Sequence, residues 1–295
     1  MRRRVAATML AAALTAGLTL LAAPGAAASG KATVLTASLS GAREVPGPGD
    51  PDGRGRAVVK LAGGKACYVL RWSGISAPTA AHIHTGRAGV AGSVAVLFFE
   101  PGSNAASLPD TLNAVTGCVE VNRDLARAIA ARPRHWYVNV HTADFPNGAI
   151  RGQLRRGGDL HLDLPHQLTA RLSGANEVPP ADPDGRGLAF VRTGRQRVCF
   201  AVGWTGITPP IFAHIHSGVA GTNGPVVVPF FDVPELAAGP PAELPPTVSA
   251  AAGCVDDQDP AVLRDIRRQP RAYYVNVHTR EFPGGAIRGQ LRRVA

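Results

Sequence analysis

Short runs rich in β-branched and aromatic residues recur along this chain, each bounded by Gly, Pro, Asp or Asn. In the first half they cover residues 33–40, 55–62, 66–73, 80–85, 93–100, 135–142 and 149–154. Runs of this length with turn residues between them predict seven short strands, and so a sandwich or small barrel. One helix interrupts them. Asn122 can cap residues 123–131, Leu125 and Ile129 share a face, and Pro133 is the stop. In two of the strands the alternation is chemically specific. His82 and His84 flank Ile83, while Tyr137, Asn139 and His141 alternate with Val138 and Val140. Successive side chains on a strand point to opposite faces, so each strand presents polar groups on one side and Ile or Val on the other.

The pattern is written twice. Ala81-His82-Ile83-His84-Thr85-Gly86 returns as Ala213-His214-Ile215-His216-Ser217-Gly218, and Tyr137-Val138-Asn139-Val140-His141-Thr142 returns as Tyr274-Val275-Asn276-Val277-His278-Thr279. Leu39-Ser40-Gly41-Ala42-Arg43-Glu44-Val45-Pro46 and residues 145–154 recur in the same order, at 172–179 and 282–291. The helix recurs more clearly, with Asp259 as cap and Pro260 at its first position. Two copies at this period mean tandem globular domains rather than a solenoid. Residues 31–156 and 166–295 are the expected domains, each able to fold alone, with 157–165 as linker. The linker region's Asp159, His161, Asp163 and His166 have no counterpart in the repeat.

Residues 1–28 read as a secretory signal peptide: Arg2 to Arg4, an apolar run from Val5 to Ala23, and small residues at Ala26 to Ala28. The expectation is a secreted, extracellular protein with no membrane span in its mature chain. The leader's three arginines account for three of the formal +10 charges, which leaves +7. The remaining excess is scattered arginine without a polybasic run, so nucleic acid is not the expected partner. The four cysteines fall two to a repeat. In an exported protein they read as Cys67–Cys118 and Cys199–Cys254, the pairing that the duplication selects.

Neutral imidazole is a good ligand for copper and zinc. A His-x-His strand beside a strand with a third His would complete an open three-His site. His82, His84 and His141, and His214, His216 and His278, are therefore candidate ligands for copper or zinc. The competing reading is that these histidines hydrogen-bond loop carbonyls and hold the fold together. Asn139 and Asn276 share the histidine face and are candidates to hold an imidazole's second nitrogen. Arg151 and Arg288 follow soon after; each either steers an anion to the site or pairs with a carboxylate, Glu44 or Glu177. Asp50-Pro51-Asp52-Gly53 and its repeat lack the later acidic ligands of a calcium loop and read as turns. No Gly-x-Ser-x-Gly elbow and no carboxylate pair supports a hydrolase.

These motifs resemble the CHRD domain, named from chordin and found in microbial secreted proteins. The resemblance rests on Leu-Ser-Gly-x-x-Glu-Val-Pro, Ala-His-Ile-His-x-Gly, and Tyr-Val-Asn-Val-His-Thr followed by Gly-x-Ile-Arg-Gly-Gln-Leu, all present in both repeats. It implies a β-sandwich of immunoglobulin-like character and no defined activity. A more distant resemblance is to copper/zinc superoxide dismutase, in which His82, His84, His141 and Arg151 would stand for the copper ligands and active-site Arg, as would His214, His216, His278 and Arg288. No histidine lies between His84 and His135, so the zinc subsite and bridging imidazole have no counterpart.

The expected architecture is thus all-β: two tandem immunoglobulin-like or dismutase-like sandwiches, each with one short helix. The expected function is that of a secreted non-enzymatic protein that binds a transition metal in each domain and meets an unidentified extracellular partner. The alternatives are a copper-dependent oxidoreductase of dismutase type and an extracellular adhesion or matrix-binding module.

Overall fold

The computed structural model describes residues 32–101, 105–157, 167–234 and 242–294. The leader lies outside the described residues, as does the linker beyond Gly157 with Asp159, His161, Asp163 and His166. The first repeat supplies β1 (Thr33–Ser40), β2 (Arg54–Ala62), β3 (Lys65–Ser73), β4 (Pro78–Thr85), β5 (Val94–Phe99), β6 (Leu112–Glu120), α1 (Arg123–Ala131), β7 (Trp136–Thr142), β8 (Ile150–Gln153) and β9 (Arg155–Arg156). The second supplies β10 (Leu168–Ser173), β11 (Arg186–Thr193), β12 (Val198–Thr205), β13 (Pro210–Ser217), β14 (Val226–Asp232), β15 (Val248–Val255), α2 (Pro260–Arg268), β16 (Tyr273–Thr279), β17 (Ile287–Gln290) and β18 (Arg292–Arg293). Each helix is held by the cap read from sequence. Asn122 accepts from the Asp124 and Leu125 amides, and Asp259 accepts from Ala261.

Every pairing is antiparallel. In the first repeat the order runs β5–β4–β7–β8–β1–β2–β3–β6, and in the second β14–β13–β16–β17–β10–β11–β12–β15. Each series folds over so that its two ends face one another across an apolar core. Tyr68 of β3 stacks on Phe98 of β5 with ring centroids 4.6 Å apart, and Phe200 stacks on Phe230 at 4.4 Å. Burying one such side chain is worth about 1.5–3 kcal/mol, and the ring pair adds about 0.5–1.5 kcal/mol. The disulfides Cys67–Cys118 and Cys199–Cys254 join residues directly opposite in the β3–β6 and β12–β15 ladders.

Each repeat has nine strands rather than the seven expected: a two-residue strand, β9 or β18, follows the last expected run, and one long strand is new. β6 and its equivalent β15 are full strands that the pattern does not predict, because Asn113, Ala114 and Gly117 are poor strand formers. The glycine has a specific cause. β6 pairs edge to edge with β15, so the two repeats share one continuous sheet. A Cβ at Gly117 would lie 1.9 Å from the Thr247 carbonyl oxygen, and one at Gly253 would lie 1.9 Å from that of Thr111. The amides of Cys118 and Cys254 donate to those same carbonyls. Each repeat thereby covers the other's exposed edge, a row of backbone groups that would otherwise invite aggregation.

Asp50 and Asp182 accept from the amides two and three residues on, which makes each Asp-Pro-Asp-Gly segment a turn tied to its own backbone. Among the described residues no helix is long and apolar enough to cross a membrane.

Candidate metal centres

The ladder β4–β7 places Ala80 opposite His141, His82 opposite Asn139 and His84 opposite Tyr137. The ladder β7–β8 extends these rows, with Asn139 opposite Arg151 and Tyr137 opposite Gln153. One face therefore carries all three histidines with Tyr137, Asn139, Arg151 and Gln153, while Ile83, Val138, Val140 and Ile150 fill the core on the other. The second repeat reproduces this register with His214, His216, His278, Tyr274, Asn276, Arg288 and Gln290. In both repeats the structure brings the three imidazoles together. One nitrogen from each lies within 4.8 Å of the other two.

The remaining nitrogens show how the rings are held. His84 Nδ1 is 3.0 Å from the Gly92 carbonyl and His141 Nδ1 is 2.9 Å from that of Pro146. In the second repeat His216 Nδ1 is 2.9 Å from the Gly224 carbonyl and His278 Nδ1 is 3.0 Å from that of Pro283. A carbonyl only accepts, so each of these Nδ1 atoms carries the proton and each Nε2 presents a lone pair to the cluster. The Nε2 atoms of His84, His216 and His278, and Nδ1 of His214, are buried without a hydrogen-bond partner. Burial also disfavours protonation. It pulls His82 and His278 down to about 4 and lowers His84, His141 and His216. These five rings are therefore neutral at physiological pH, the form that binds metal.

Behind the triads lies a second polar layer. His84 stacks on Tyr137 and His216 on Tyr274, each at 5.0 Å. The Arg151 guanidinium sits 3.5 Å from the Tyr137 ring centre and donates to the Arg87 and Val90 carbonyls. Arg288 donates to Asn176, Thr222 and Asn223. With Gln153 and Gln290, which donate to the Gly86 and Gly218 carbonyls, these arginines pin the glycine-rich loops whose Gly92 and Gly224 hold the imidazoles. Asn139 donates to Glu44 rather than to an imidazole. Burial pushes Glu44 up to about 7 against the opposing pull of Arg151, and Glu177 up to about 7 against Arg288. Beside the first triad, a cavity of about 180 Å³ lies between residues 44–48 and 144–148, and Pro146 lines it.

The two centres differ in what surrounds them. Phe212 lies over His214 and His278, with ring centroids 5.0 and 4.6 Å away; the residue at the same register position of β4 is Ala80. Asp232 Oδ1 lies 3.3 Å from His214 Nε2. Glu100 follows Phe99 as Asp232 follows Phe231, yet no hydrogen bond or ion pair joins it to His82. Instead, His82 Nδ1 lies 3.1 Å from His141 Nε2. Sequence reasoning did not single out Phe212, Asp232 or the four loop carbonyls. The first two become site residues only through the β13–β14 and β13–β16 register, and a backbone carbonyl has no residue-type signature.

The chain matches the family profile of the CHRD domain over residues 35–154 and again over residues 168–291. It belongs to the CHRD domain family, in two tandem copies. No curated protein matches the chain.

Proposed function

We propose that this is a secreted, non-enzymatic protein whose two CHRD domains each bind a transition-metal ion through three histidines. One observation carries the reading: in rings that bring a nitrogen each to within 4.8 Å of the others, four buried imidazole nitrogens, at His84, His214, His216 and His278, have no hydrogen-bond partner. Each orphan costs about 1–3 kcal/mol, whereas one ion in each triad would satisfy them together. Metal–nitrogen bonds of about 2 Å bring ligand nitrogens about 3–4 Å apart, so the triads need to contract only slightly from their present span. The carbonyls of Gly92, Pro146, Gly224 and Pro283 fix the tautomers, as outer partners do at metal sites. Imidazole-rich sites follow the Irving–Williams order, which favours copper over zinc. Paired disulfides fit an oxidising, extracellular setting.

The resemblance to copper/zinc superoxide dismutase would add a zinc position beside each copper site. Among the described residues the only clusters of this kind are the two triads themselves. The test is a copper titration of the full chain. The reading predicts two ions per chain for the wild type and none for the His84→Ala, His216→Ala double variant. Equal uptake by both proteins would exclude these histidines as ligands.

A further inference from the structure

We infer that the two metal centres are functionally unequal: the second is a preorganised, shielded site that holds its ion, and the first is an open, exchanging site that accepts a small exogenous donor. The inference rests on the reading of the triads as metal sites and on three independent differences between them.

The first difference is the tautomer. Pro146 fixes the His141 proton on Nδ1, so His141 Nε2 can only accept. The contact from His82 Nδ1 at 3.1 Å must then be a donation, with the His82 proton on the very atom that should ligate. Metal binding in the first repeat has to break this His–His bond and move the proton to Nε2. In the second repeat the Asp232 carboxylate accepts from His214 Nε2, which leaves the lone pair on Nδ1, a buried nitrogen with no hydrogen-bond partner. All three lone pairs of that triad are already in place.

The second difference is the outer partner of the leading histidine. A carboxylate on an imidazole's far nitrogen raises its basicity and fixes its orientation, and loss of such a partner typically costs about 10–100-fold in metal affinity. His214 has that partner in Asp232; Glu100 does not supply it to His82. The third difference is access. Phe212 covers two rings of the second triad, and His278 is 5 % exposed. Ala80 leaves the matching approach to the first triad open, and His141 is partly exposed. A water molecule, or a small anion such as azide, can therefore reach an ion held by His82, His84 and His141.

Single-site versions of the full chain separate the centres. His84→Ala keeps the second and His216→Ala keeps the first. After copper loading, the first-site protein is expected to surrender its ion to EDTA at least tenfold faster, and azide is expected to shift its visible and electron paramagnetic resonance spectra alone. Equal release rates with equal azide response, or the reverse order, would overturn the inequality while leaving the metal reading intact. Absence of copper uptake by the wild type would overturn both. A second pair of variants leaves every histidine in place. Asp232→Ala with Phe212→Ala should bring second-site release to the first-site rate, and an unchanged rate would remove these two residues, and the inference with them.

Discussion

In the first repeat Ala80 stands opposite His141, and His82 is bonded to His141. In the second, Phe212 lies over His214 and His278, and His214 is bonded to Asp232. Beneath these differences the two halves share Tyr, Asn, Arg and Gln at matching register, together with a buried Glu. The contrast separates two jobs. The shared layer shapes the loops and aims the rings, so it has to be the same in both halves. The outer residues touch only one side of a finished triad, so they can differ and set how tightly and how accessibly an ion is held.

The shared layer can be tested through its charge. Glu44 and Glu177 bind a proton more readily in the folded protein than in the unfolded chain, so the stability they contribute is full below about 4.5 and is lost as pH rises through about 7. The ceiling is on the order of 3 kcal/mol for each glutamate. Urea unfolding of metal-free protein between pH 4.5 and 8 should show the wild type losing stability relative to the Glu44→Gln, Glu177→Gln double variant as pH rises. The histidines, lowered by burial, work in the opposite sense between 6.5 and about 4, but they are common to both proteins and cancel in the difference. Each single variant should recover about half of the effect. A response confined to one half would mean that the shared layer is not equivalent in the two repeats.

A smaller effect probes whether the halves can be compared as separate bodies at all. Each carries its own strand set and disulfide, yet β6 and β15 join them. Gly117→Val puts a branched side chain where the Thr247 carbonyl already lies. It should cost about 1–3 kcal/mol and split a single thermal transition into two, as should Gly253→Val at the symmetric contact. One unshifted transition in both variants would show that the shared sheet edge contributes nothing.

Much of the site was legible from alternation alone. Ile83 between His82 and His84, and Val138 and Val140 beside Asn139, define a polar face on each strand, and the duplication says that the arrangement is used twice. The strand order was not legible, because periodicity places residues on faces without saying which faces meet. For that reason nothing in the sequence marks Asp232 or Phe212 as neighbours of the second triad. β6 was missed because the requirement for Gly117 comes from a strand more than a hundred residues away, which is a tertiary demand that local propensity cannot express.

The central claim is that three imidazoles per repeat form one metal centre. X-ray absorption of the copper-loaded full chain tests it most directly, because it reads the ligands themselves rather than uptake. The account predicts three imidazole nitrogens around each copper at about 2 Å, with the imidazole signal lost in the His84→Ala, His216→Ala variant. A shell dominated by oxygen, with fewer than two imidazoles per copper and no change in that variant, would contradict it.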